Sequence, residues 1–138
     1  MEKWQQNWEK SDKGRWTYRL IPEIKEWCDW GPRLLNFHLT QVLTGHGCFG
    51  TFLKKIGRQR EAQCWFCPER EDSPEHFLFA CSRWRSERAQ LCSLLHTEFN
   101  KEHFVKFLRE EATRSLVTAY ITRTLKEKED FERKRQRA

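Results

Sequence analysis

The 138 residues carry 26 Lys/Arg against 20 Asp/Glu, a net charge of +6, and include seven Trp and ten Phe at a mean hydropathy of −0.90. That length fits one domain burying about two-thirds of its unfolded surface. No apolar run reaches the roughly 20 residues of a membrane helix, and Met1 to Lys10 are too polar for a signal peptide, so the expected setting is nuclear or cytoplasmic, with no membrane partner and no disulfide scaffold.

Trp4 and Trp8 stand one helical turn apart and predict a first helix, their rings forming a core stripe, that ends before Gly14. Gly14-Arg15-Trp16-Thr17 breaks it, and Pro22 suits the first turn of a second helix through Ile24 and Trp27, stopped at Gly31-Pro32. Leu35, Leu39, Val42 and Leu43 recur at helical spacing until Gly45 and Gly47, with His38 as a hydrogen-bonded residue at the core edge. Phe49, Phe52, Leu53 and Ile56 predict a short apolar helix closed by Gly57. Ser73 is a good N-cap and Pro74 a good first residue for a helix that would carry both His76 and Cys81. Trp84, Leu91, Leu94 and Leu95 continue in a helix. Asn100 caps the next, with Phe104, Phe107 and Leu108 on its apolar face, and Leu116, Val117, Tyr120, Ile121 and Leu125 mark the last. The run Arg133-Lys134-Arg135-Gln136-Arg137, interleaved with Glu127, Glu129 and Glu132, reads equally as a solvated helix surface or a disordered basic tail.

Cys64, Cys67, His76 and Cys81 read C-x2-C-x8-H-x4-C, the spacing of one tetrahedral zinc site: two soft sulfurs on a tight turn, completed by a nearby imidazole and a third sulfur. Four protein ligands leave no open position for water, so the expected Zn²⁺ is single and structural. Cys92 and His96, in C-x3-H spacing, form an alternative to His76 and Cys81. A C-x-x-C redox pair at Cys64 and Cys67 is a further reading, but no strand or βαβ context supports it. Cys28, Cys48 and Cys92 are then expected as buried small hydrophobes.

The predicted fold is a small all-α domain with one CCHC zinc knuckle that contains a short β-ribbon around Gln63 to Phe66. Its regions are 1–60, helical with a basic end; 61–97, the knuckle and following helix; and 98–138, C-terminal helices and a basic tail.

Charge is unevenly spread. Residues 1–60 hold 11 Lys/Arg against 6 Asp/Glu, residues 61–100 hold 4 against 7, and residues 101–138 hold 11 against 7. The knuckle segment is acidic, and three thiolates on one Zn²⁺ add net negative charge, so any phosphate-binding capacity falls to the flanks. The candidate nucleic-acid contacts are Lys54, Lys55, Arg58 and Arg60 before the knuckle and Arg83, Arg85 and Arg88 after it, with the C-terminal run Arg133 to Arg137 as a third, weakest patch. Trp65 and Phe66 cannot both turn inward on so tight a loop. Trp65 is the candidate base-stacking residue, with packing on Phe77 or Trp84 as its alternative. His46 has no spaced acid or nucleophile, so it is assigned a backbone or phosphate contact rather than proton transfer.

Gly14-Arg15-Trp16-Thr17, Arg19-Leu20-Ile21-Pro22, Leu39-Thr40-Gln41 and Leu43 to Gly50, followed by the knuckle with Glu75-His76, resemble the C-terminal region of non-LTR retrotransposon polyproteins, over about residues 4–92. The likeness is to arthropod elements that insert into ribosomal RNA genes. It implies a segment lying after a reverse transcriptase domain, in a polyprotein that is an RNA-directed DNA polymerase with endonuclease. Its implied partners are RNA or DNA and its own reverse transcriptase domain. The only aspartates are Asp12, Asp29, Asp72 and Asp130, with no adjacent pair, so no catalytic residue is expected here and the segment is not expected to be an enzyme by itself. The competing expectation is a zinc-stabilised protein-interaction module that docks on the polymerase. The single Met at position 1 is compatible with a truncated copy, a domesticated fragment or a piece of a longer protein.

Overall fold

A computed structural model describes residues 1–137, and they fold into helices: α1 (Glu2–Lys10), α2 (Arg15–Leu20), α3 (Ile24–Trp30), α4 (Phe37–Thr44), α5 (Gly50–Lys55), α6 (Pro74–Phe79), α7 (Arg85–Leu95), α8 (Phe104–Arg109) and α9 (Glu111–Arg137). The all-α expectation holds. Short 3-10 turns precede α4, α7 and α8.

Local chemistry sets several boundaries. The Asn36 side chain accepts from the Leu39 amide at 2.7 Å to open α4, and Gly45, at φ +77°, closes it in a left-handed conformation that suits glycine. The Ser73 hydroxyl accepts from the His76 amide at 3.1 Å with Pro74 behind it, and Asn100 accepts from the His103 amide at 3.0 Å. The Ser73 cap stands where the sequence places it; Asn100 caps the 3-10 turn that leads into α8, and Asn36 is a cap the sequence reading did not name.

Helix α9, 27 residues or about 40 Å long, is the spine on which α4, α7 and α8 pack. Its buried stripe runs Val117, Tyr120, Ile121, Thr124, Leu125, Lys128 and Glu132, at three- and four-residue steps. Against it sits an aromatic core. Phe77 meets Phe49 and Trp84 edge-on at 5.8 and 6.0 Å, and Phe99 meets Phe104 and Tyr120 at 5.9 and 5.6 Å.

Several expectations change. Trp4 is 65% exposed and α1 buries no residue; Trp8 is half-buried, its indole N–H donating to the Ile21 carbonyl at 2.8 Å, so α1 rests on α2 instead of contributing a core stripe. The Gly14–Thr17 segment does more than break a helix, because Arg15 begins α2. Trp16 and Thr17 donate to the carbonyls of Val42 and Leu43, each at 2.8 Å, docking α2 on the end of α4. Leu35 lies outside α4 and is exposed, as are Ile56 and Leu94. Cys28 is exposed rather than buried, whereas Cys48 and Cys92 are partly buried against the edge of the core. The C-terminal basic run is helical through Arg137. Among the described residues the β-ribbon reduces to one bridge, Gln63 to Glu71, because the chain must turn at once to present its sulfurs.

Candidate metal centre

The loop after that bridge closes on itself. The Cys64 amide donates to the Arg70 carbonyl at 2.8 Å and the Arg70 amide to Cys67 at 2.9 Å, so two sulfurs emerge from one turn. Helix α6 brings His76 on its first turn. Cys81 lies just beyond that helix rather than on it: the Ala80 and Cys81 amides both donate to the His76 carbonyl, at 2.9 and 2.7 Å, and end the helix there.

One ligand atom from each of Cys64, Cys67, His76 and Cys81 falls within 4.8 Å of the others. Cys64 and Cys81 Sγ are 3.7 Å apart. That is far beyond the ~2.05 Å of a disulfide and close to the ~3.8 Å between two thiolates bound tetrahedrally at about 2.3 Å. The His76 Nε2 is buried with no hydrogen-bond partner among the described residues, an orphan that a cation satisfies. The two sulfurs share one hydrogen bond, which holds the Cys64 thiol below the ordinary range and pushes Cys81 up. This donor set suits one soft divalent ion in place of the shared proton. Cys92 and His96 stand outside the cluster: Cys92 lies on α7, and His96 is the exposed residue that ends it at φ 58°.

Outer contacts steady the ligands. The Ser82 amide and hydroxyl approach Cys67 Sγ at 3.5 and 3.1 Å, and Arg88 donates to the Cys81 carbonyl at 2.6 Å. Arg88 is therefore committed to the centre's own backbone. Arg83 lies over the Trp84 ring at 4.4 Å and pairs with Glu127 at 3.4 Å and Glu87 at 3.8 Å. Lys54, Lys55, Arg58, Arg60 and Arg85 are exposed and make no ion pair among the described residues.

Trp65 and Phe66 turn opposite ways. Phe66 packs on Phe131 of α9 with ring centroids 4.8 Å apart, while Trp65 is 48% exposed and carries the Arg135 guanidinium 4.2 Å above its ring. Arg135 also reaches Gln59 at 3.3 Å, so the loop holding Arg58 and Arg60 stands beside Trp65. Arg135, which also pairs with Glu132 at 3.0 Å, belongs with these residues, and it is the member of the C-terminal basic run that the fold brings to Trp65.

A buried ion pair escaped sequence reasoning entirely. Lys128 of α9 donates to Asp72 at 2.8 Å and to the Cys48 carbonyl at 2.6 Å, and the same Asp72 oxygen accepts from the Gly50 amide at 2.9 Å. Burial pushes the lysine down, but Asp72, Cys48 and Glu132 outweigh it and its pKa is raised. Asp72 directly follows the bridge residue Glu71, so this pair fastens the metal loop to the spine. His38 Nε2 of α4 lies 2.8 Å from the Glu129 carboxylate of α9 without a hydrogen bond between them.

The chain is 36% identical over 91 residues, 63% of its length, to a retrovirus-related Pol polyprotein from the type-1 retrotransposable element R1 2 of Nasonia vitripennis, of which it covers 21%. It is 32% identical over 93 residues to the corresponding R1 polyprotein of Bradysia coprophila and 35% identical over 94 residues to that of R1 4 of Nasonia vitripennis, covering 9% and 23% of those proteins. The chain thus spans less than a quarter of the length of these curated relatives, and the similarity takes in 63–65% of its own residues. No family model matches it, and no solved structure does.

Proposed function

We propose that this chain, similar to one region of retrotransposon Pol polyproteins, is a zinc-fastened nucleic-acid-binding segment that follows a reverse transcriptase and helps hold element RNA or target DNA. The observation that carries the reading is the position of Trp65: a half-exposed indole between two metal ligands, with Arg135 on its ring and the Arg58–Arg60 loop alongside. An aromatic face among cations suits a single strand, whose bases stack while its phosphates are neutralised. Cys64, Cys67, His76 and Cys81 would hold one Zn²⁺ that cross-links the loop to α6 and supplies no reaction step. We assign the segment binding and no catalysis; copying of RNA would belong to the rest of the polyprotein.

The test is zinc content measured with binding to single-stranded RNA, single-stranded DNA and duplex across a salt series. One zinc per chain and affinity that falls steeply from low to physiological salt are expected. Affinity indifferent to salt would overturn the reading in favour of apolar docking on the polymerase, for which exposed Trp4 and Phe37 at 65% and 68% are the supporting observation.

A further inference from the structure

The Gly14–Thr17 and Thr44–Gly47 segments take no part in the metal centre. Gly14 to Thr17 and Thr44 to His46 of these segments meet residues of α5 and the start of α6 around an open cleft of about 320 Å³. Its lining charges are Arg15, Arg19, Lys55 and one acid, Glu75. Glu75 is already held between Arg19 at 3.7 Å and Lys101 at 3.6 Å, so it presents a largely neutralised carboxylate. Lys55 is exposed and makes no ion pair among the described residues.

One wall is a stack. The His46 ring lies on Phe52 with centroids 4.6 Å apart and planes inclined by 25°. Phe52 is partly buried and His46 exposed, so the stack has a supported inner ring and an open outer one. Lys55 follows Phe52 by three residues on α5, which places the free ammonium on the same helix face. A planar ring open to solvent beside an unpaired cation matches a nucleotide: the base extends the stack and the phosphate meets the ammonium. A purely apolar ligand would leave the cations unused, and a bare anion would leave the stack unused.

The walls are fixed in advance. The Trp16 indole is tied to the Val42 carbonyl at 2.8 Å, and Gly45, at φ +77°, holds a left-handed turn that other residues rarely adopt. Preset walls lose little freedom when a ligand enters.

We propose that this cleft is a nucleotide subsite for a single-stranded nucleic acid, its base stacking on His46 and its backbone phosphate meeting Lys55 and Arg19. The proposal rests on the nucleic-acid reading above and adds a second contact surface, separate from Trp65. The full chain is titrated with hexauridylate and with hexathymidylate, following amide resonances and affinity together, with thermal melting as a fold check. Gly45 and Gly47 amides should shift. His46→Ala should weaken binding about fivefold or more, the low end of what a lost stacked base costs, His46→Phe should restore the stack, and Lys55→Gln should weaken binding while making it less dependent on salt. Unequal affinity for the two hexamers would identify RNA or DNA as the preferred strand. If both hexamers bind, but the glycine amides stay still and only Arg58→Gln with Arg60→Gln weakens the complex, the cleft proposal falls and the broader reading stands. If neither hexamer binds the wild-type chain at low salt, the broader reading falls and the cleft with it.

Discussion

Gly50 shows how a single position can be dictated by its neighbours. A Cβ there would lie 2.8 Å from the Ala62 carbonyl oxygen and 3.1 Å from Asp72 Cβ, and the first of these is backbone that cannot step aside. Gly50→Ala should therefore cost about 1–3 kcal/mol, read as a lower denaturation midpoint. The cysteines outside the cluster differ in a similar, local way. Cys28 is exposed, whereas burial pushes the Cys48 thiol up to about 12. With the metal ligands occupied, iodoacetamide should label Cys28 first and leave Cys48 largely unmodified, as peptide mapping would reveal. The four ligands were legible as residues because spacing alone encodes a tetrahedral donor set. The role of Arg88 was not, since a guanidinium that serves a carbonyl and one that awaits a phosphate look alike in a sequence.

At the scale of elements, α4 was readable from an apolar period that Gly45 ends, and the start of α6 from Ser73 and Pro74 at its first turn. Helix α2 was not, because six residues are too few to show a period and the glycine before them looks like an ending. The joint between the metal loop and α9 was hidden for another reason. Asp72 and Lys128 are 56 residues apart, and charges in a mixed-charge helix read as surface. Lys128→Met should destabilise the fold by about 3–5 kcal/mol, since it leaves Asp72 buried without its cation, and adding Asp72→Asn should recover part of that loss. A double-mutant cycle measures the coupling. The pH dependence has a definite sign. A lysine raised in the folded state contributes stability that is fully present below the ordinary value of 10.5 and is lost as pH climbs through the higher folded value. Comparing wild type with Lys128→Met, the difference in stability should stay flat from neutral pH to about 10 and shrink only beyond it.

Across the whole molecule, one aromatic core joins residues from the N-terminal helices, the metal loop and α9. Chelation should therefore unsettle the loop and α6 first and spare the α8–α9 packing, which hydrogen exchange on the chelated protein would resolve. Composition foretold a helical domain rich in aromatic side chains, but not that its last helix would be the platform for everything before it; a period seen in a sequence names a face without naming what lies against it. The Lys128 tether then bears on handling the candidate metal loop in isolation. A synthetic peptide of residues 61–97 would contain all four donors, yet Asp72 would lose its counterion and Phe66 its seat on Phe131. Such a peptide should capture zinc more weakly than the intact chain in competition with a chromogenic chelator, which makes this loop a poor candidate for transplantation into another scaffold.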